Sequence, residues 1–209
     1  MKKSALLCVL LLCLGVATPA HAKLNPAVWD AVQRAYAPAQ PHPGLVTAHE
    51  DLDPSKCKGY VVVMQGGIAA ERAKHFIGWD EYDYRGVDID LAKEAVSTRR
   101  GTIYTFLQPG DVMAVARLDK LGDTVYVGLI SPDIYTPSNR SLEKHFSRVT
   151  TMAMFKVSSA LAKTDDPTAT LAAMSAWLKP FDNAAAASSF AKTVTAPAPQ
   201  QLATPTTEK

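Results

Sequence analysis

The chain has 209 residues, 47% hydrophobic and 20% charged, with three cysteines and a formal charge of +2. So small a net charge gives no electrostatic reason to expect nucleic acid or an anionic membrane as partner. The length suits one domain with a substantial core. Past residue 22 no apolar run nears the roughly 18 residues needed to cross a bilayer.

The first element is a leader. Met1-Lys2-Lys3 is a positive n-region, Ala5 to Val16 an apolar h-region, and Ala20-His21-Ala22 the small-x-small pattern of a signal-peptidase site. Residues 1–22 therefore read as a signal peptide, which predicts a bacterial protein exported to the periplasm or beyond. Cleavage takes 22 residues from 209 and leaves 187; without Lys2 and Lys3, 22 basic residues become 20, equal to the 20 acidic ones. Cys8 and Cys13 leave with the leader, so Cys57 remains alone and an intrachain disulfide is excluded. Lipidation at Cys13 is disfavoured because Leu12, before it, is not small.

Asn25-Pro26 opens the mature chain as an N-cap followed by a first-turn proline, and Val28, Val32, Ala35 and Tyr36 recur at helical spacing until Pro38. Residues 38–54 hold four prolines and read as a surface loop. Tyr60 to Met64 reads as a buried strand, broken by Gln65-Gly66-Gly67. Ile68 to Phe76 is ambiguous: Ala69, Ala70, Glu71, Arg72 and Ala73 lean it towards helix, although Gly-Gly also makes a hairpin turn. Asp88 or Asp90 is expected to cap a short helix through Val96, stopped at Gly101 after Arg99-Arg100.

Thr102 to Leu107, Val112 to Leu118 and Thr124 to Ile130 are rich in β-branched and aromatic residues. Pro109-Gly110 and Lys120-Leu121-Gly122-Asp123 turn the chain between them, which predicts a three-strand meander. After a polar loop at 131–141, Val149 to Val157 alternates as a fourth antiparallel strand. Asp166-Pro167 repeats the cap-plus-proline start, with Leu171, Met174, Leu178 and Phe181 as the apolar stripe of a helix ended by Pro180. From 182 to 209 the Ala-, Thr- and Pro-rich chain reads as a disordered tail.

The expected fold class is α+β: a small antiparallel sheet, or a partly closed barrel with the strand spacing of SH3-like folds, carrying packed N- and C-terminal helices. The single domain spans 23–181.

Two places invite chemistry. Cys57, flanked by Lys56 and Lys58, is the candidate nucleophile, but it precedes a strand and lacks the helix dipole that lowers a thiol pKa. His75 or His145 would have to reach it through tertiary structure. The other place is Trp79-Asp80-Glu81-Tyr82-Asp83-Tyr84, followed by Asp88 and Asp90. It is not an EF-hand: with Gly86 at position 6, Arg85 occupies position 5 and Ala92 position 12.

A less regular cation site from Asp80, Asp83 and Asp88 stays open. So does a ligand-contacting loop of Trp79, Asp80, Tyr82 and Tyr84, because these rings pair an apolar face with a polar edge. The plainer alternative, which carries more weight, buries Trp79 and one tyrosine and leaves the acids solvated. Gly66-Gly67 lacks the rest of any phosphate-cradling pattern, and no zincin or serine-hydrolase motif is present.

The sequence thus predicts an exported, non-enzymatic binding or accessory protein of the cell envelope, with an envelope protein or small ligand as partner. No cofactor or metal is expected. The alternatives are a cysteine-dependent envelope hydrolase or transferase using Cys57, and a structural role with the tail as spacer.

Overall fold

Helix α1 (Pro26–Tyr36) starts where its cap and proline place it: the Asn25 side chain accepts a hydrogen bond from the Ala27 N–H at 2.8 Å. The computed structural model describes residues 23–36, 57, 59–72, 86–99, 103–133 and 148–194. The loop at 38–54, the cluster Trp79 to Tyr84, His42, His49, His75 and His145, and the tail from residue 195 lie outside the described residues.

Strand β1 (Gly59–Val63) forms as the apolar run requires and pairs antiparallel with β6 (Val112–Leu121) and β9 (Leu178–Phe181). The slight lean towards helix after Gly67 is overturned: Ile68–Arg72 is strand β2. Alanine favours helix only weakly, and here both Ala69 and Ala70 are buried between paired strands, so tertiary context decides. Nor is Gly66-Gly67 a hairpin turn, because β2 pairs with β5 (Thr105–Leu107) and β8 (Val149–Lys156), not with β1.

The helix expected after Asp88 is also a correction. Gly86–Asp90 is strand β3 and Ala95–Thr98 strand β4, joined as an antiparallel hairpin. Val87 and Ile89 point into the core while Asp88 and Asp90 alternate outwards, a period of two. Asp90 does accept from the N–H groups of Ala92 and Lys93, at 3.1 and 3.2 Å, but this closes a turn and starts no helix.

Only part of the expected meander forms. Pro109-Gly110 turns as read, with Gly110 at φ 94° and the Asp111 N–H donating to the Gln108 carbonyl at 2.9 Å. Yet β5 leaves β6 and pairs with β2. A strand has two edges, and both edges of β6 are occupied, by β1 and β7 (Thr124–Ile130). The true meander is β6–β7–β8. Its first turn places Gly122 at φ 63°, as the first central position of a II′ hairpin demands.

The sheet runs β4-β3-β8-β7-β6-β1-β9, with β2 and β5 branching from β8. It is curled and mixed, and closes about half of a barrel; the domain is α+β with a barrel-like sheet. The expectation of a purely antiparallel sheet fails at one pair, because β3 runs parallel to β8. The two share one edge of β8: its start pairs with β2 and the remainder with β3. At this fork the buried Thr151 hydroxyl donates to the Ala69 carbonyl at 2.7 Å, supplying a partner where the ladder has diverged. Gly86 is required there, since a Cβ would lie 2.0 Å from the Met152 carbonyl oxygen.

After β8 come α2 (Ser159–Lys163), capped by the Ser158 hydroxyl, and α3 (Thr168–Ser175). The expected Asp166 cap shifts by one residue: Pro167 stands at the N-cap of α3, and Asp166, just before it, accepts from the Thr168 N–H at 2.9 Å in the turn that enters the helix. The long helical stripe does not continue: Leu178–Phe181 is strand β9. Pro180 is tolerated because β9 is terminal in the strand order, where a missing N–H need not break a ladder. The ordered chain also passes the boundary expected at 181. Asn183 caps helix α4 (Ala184–Ala191), which packs on β1, β6 and β9.

The main core lies on one face of the sheet, where strand residues such as Val61, Ile68, Ile89, Leu107, Met113, Leu129 and Phe155 form one cluster with Val28, Val32 and Tyr36 of α1 and Met174 of α3. Tyr36 ends α1 fully buried, and its hydroxyl donates to the Leu178 carbonyl at 2.7 Å. Burial holds that phenol far above its ordinary pKa, with a small opposing contribution from Ser175.

Candidate functional site

The face of β3, β8, β7 and β6 turned away from the main core carries a second set of side chains. Register places Asp88, Met154, Tyr126 and Asp119 in one row across the four strands. The next row holds Gly86, Met152, Gly128 and Arg117. Tyr126, Met152 and Met154 form a buried cluster separate from the main core. Neighbouring strands lie about 4.8 Å apart, so the row from Asp88 to Asp119 spans on the order of 14 Å.

An ion pair stands at each margin of the cluster. Arg99, just after β4, donates through Nε to Asp88 at 2.7 Å, and Arg117 donates to Asp119 at 3.1 Å. The hydrogen bond it donates to Asp88 holds the Arg99 guanidinium above its ordinary pKa against partial burial, and the Asp88 charge and Tyr126 add to it. Both pairs are partly open to water, with Asp88 39% and Asp119 47% exposed. Pairs this exposed contribute about 0–1 kcal/mol to stability, so their main effect is to orient the guanidinium groups.

Four hydrogen-bonded strands hold these groups in fixed register. An arginine fork recognises a carboxylate or phosphate through two parallel N–H donors. Here the two pairs flank the buried Tyr126, Met152 and Met154 side chains. The Arg117 site also depends on an irregularity: a register shift between Val115 and Arg117 turns Arg117 and Asp119 to this face and leaves Leu118 towards the core.

Of the residues singled out in the sequence, Trp79, Asp80, Tyr82 and Tyr84 lie outside the described residues, as does Asp83. Asp88 is described, and Arg99 engages its carboxylate. Cys57 is half-buried, two residues before β1. The sequence reading missed Arg99, Arg117, Asp119 and Tyr126 as a group. Two signals pointed to them: the alternation Val87-Asp88-Ile89-Asp90, and the polar positions 117 and 119 around Leu118. Their convergence depends on strand order, which no local pattern encodes.

Among the described residues no helix is long and apolar enough to cross a membrane. No family model matches the chain, and no curated protein or solved structure matches it.

Proposed function

We propose that the chain, exported by its leader and cleaved after Ala22, is a non-enzymatic binding or accessory protein of the cell envelope. The observation that carries this reading is the outer face of the sheet, where Arg99–Asp88 and Arg117–Asp119 flank the Tyr126, Met152 and Met154 cluster on four adjacent strands. Arginines held in register on a rigid, preorganised sheet are usual anchors of recognition. The opposite face of the sheet is covered by the protein's own core, so binding falls to the outer face and to the loop of Trp79, Asp80, Tyr82 and Tyr84. The partner is an envelope protein, or a small envelope ligand bearing a carboxylate or phosphate.

The test is affinity capture from envelope extracts with tagged mature protein, alongside Arg99→Ala/Arg117→Ala and Trp79→Ala. Each variant is first shown to melt within a few degrees of wild type. A partner retained by wild type and lost with the double arginine variant supports the outer face. Loss with Trp79→Ala alone moves the site to that loop. An identical captured set from all three proteins overturns the binding reading. A Cys57→Ser variant that folds normally but abolishes function in cells would replace it with the cysteine hydrolase or transferase.

A further inference from the structure

Strands β4 and β9 end the strand order of the sheet. An uncovered edge offers a row of main-chain donors and acceptors to any extended chain, and proteins commonly guard it with proline, lysine or a bulge. Strand β9 carries Pro180 and Lys179. Strand β4, Ala95-Val96-Ser97-Thr98, carries no proline, charge or register shift. Ala95, Ser97, Thr98 and Arg99 are exposed and Val96 is half-buried, so this edge stands open to solvent.

The ladder fixes which groups lie along that edge. The Arg99 N–H donates to the Gly86 carbonyl at 2.8 Å. Hydrogen-bonded pairs alternate along an antiparallel ladder, so Ser97 with Asp88 and Ala95 with Asp90 are bonded pairs too. The N–H and C=O groups of Val96 and Thr98 therefore point the other way, to the open edge. Side chains alternate as well. Val96 packs against the main core, whereas Ser97 extends the row of Asp88, Met154, Tyr126 and Asp119 on the outer face. Arg99 extends the next row, beyond Gly86. Among the described residues it engages Asp88 through Nε, and its side chain is 44% exposed. A guanidinium has five N–H donors, so most of them remain for a second carboxylate.

We propose that β4 takes up an extended segment of a partner protein as an added antiparallel strand, bonded through Val96 and Thr98, with a carboxylate beside Arg99. Main-chain bonds supply the affinity of such an addition and alternate side chains its specificity. Read from its N-terminus, the segment has Asp or Glu opposite Arg99, then β-branched residues opposite Thr98 and Val96 with any residue between them. A second copy of β4 fits less well. Antiparallel pairing through Val96 and Thr98 would set Arg99 against Lys93, Ala95, Ser97 or Arg99 of the copy, none of them acidic. The proposal rests on the outer-face reading above and names the form its partner takes.

The probe is the synthetic peptide Lys-Thr-Glu-Val-Ser-Val-Thr-Lys, added to isotope-labelled mature protein with amide hydrogen exchange read by NMR. Saturating peptide should slow exchange at Val96 and Thr98 at least about tenfold and leave Ser97, already bonded to Asp88, unchanged. The same peptide with Gln for Glu should bind wild type about two- to fivefold more weakly, and Arg99→Gln should bind both peptides alike. Thr98→Pro removes an outward N–H and no bond to β3, so it should weaken binding at least about fivefold. If that variant does not fold, the exchange pattern of wild type decides. Unchanged exchange at Val96 and Thr98 up to the peptide's solubility limit overturns the proposal, as does a Glu-to-Gln difference that persists in Arg99→Gln. Slowing at the same amides without peptide, growing with protein concentration, overturns the peptide as occupant and puts a second copy there. An envelope partner retained by Thr98→Pro but lost with Arg99→Ala/Arg117→Ala overturns strand addition and leaves the outer-face reading standing.

Discussion

Thr151 and Thr170 are both buried, and their hydroxyls meet opposite fates. Thr151 satisfies the Ala69 carbonyl at the fork of the sheet, whereas Thr170 Oγ1 has no hydrogen-bond partner among the described residues. Removing one member of a buried pair strands the other at a cost of about 1–3 kcal/mol, while removing an unsatisfied group is neutral or favourable. Thr151→Val should therefore lower the urea midpoint by an amount equivalent to about 1–3 kcal/mol, and Thr170→Val should leave it unchanged or raise it by up to about 1 kcal/mol. A second prediction concerns acid. At Asp90, partial desolvation opposes ionisation, but hydrogen bonds and charge from Lys93 and a hydrogen bond from Ala92 overcome it and lower the pKa below 3.8. At Asp166, hydrogen bonds from the Thr168 hydroxyl and N–H do the same. A carboxylate with a depressed folded-state pKa stabilises the fold above its unfolded pKa, and that contribution fades as pH falls through the folded one. The Asp90→Asn/Asp166→Asn variant should lose less of its urea midpoint than wild type between about pH 4.5 and about pH 2. Both aspartates read as helix caps in the sequence, whereas Asp90 closes the β3–β4 hairpin turn and Asp166 stands one residue before the N-cap of α3.

At the scale of elements, local patterns succeeded where one element's neighbours were fixed by a short turn. Helix α1, the β6–β7 hairpin and the alternating strand β8 fall where periodicity and turn residues put them. The failures share another cause. Strand β2, the β3–β4 hairpin and strand β9 carry sequences with weak or mixed preference, and each is a strand because it completes a ladder with a segment far away in the chain. Helix α4 is the sharpest case. Its Ala- and Ser-rich sequence has little to bury, yet Phe190 stacks against Phe181 with ring centroids 5.2 Å apart, and Lys179 lies 4.0 Å over the Phe190 ring. Val62 and Ala114 are fully buried but stand outside the main core cluster, on the side where α4 packs against β1 and β6. Ending the chain after Asp182 should thus destabilise the domain by about 2–4 kcal/mol, as the loss of several buried apolar contacts requires. A melting temperature unchanged by that truncation would show that α4 contributes nothing.

For the whole molecule, the decisive arrangement is that α1 packs against a sheet assembled from segments that follow it in the chain. Val28, Val32 and Tyr36 are fully buried against strands as distant as β9. Losing one large core side chain costs about 2–5 kcal/mol, against a total stability of about 5–15 kcal/mol for a typical domain. A chain beginning at residue 37 should give no cooperative thermal transition, and circular dichroism during heating would reveal one if it remained. What depends on neighbours along the chain was legible in the residues alone: the cap of α1, the tight turns and the strongly periodic strands. Only the tertiary structure decided the branch at β8, the parallel pair, the strand fate of β2 and β9, and the meeting of Arg99, Asp88, Tyr126, Asp119 and Arg117 on one face. The cause is that ladder partners are chosen by which strand edges remain unfilled, and that competition involves segments more than a hundred residues apart, as in Tyr60 with Phe181.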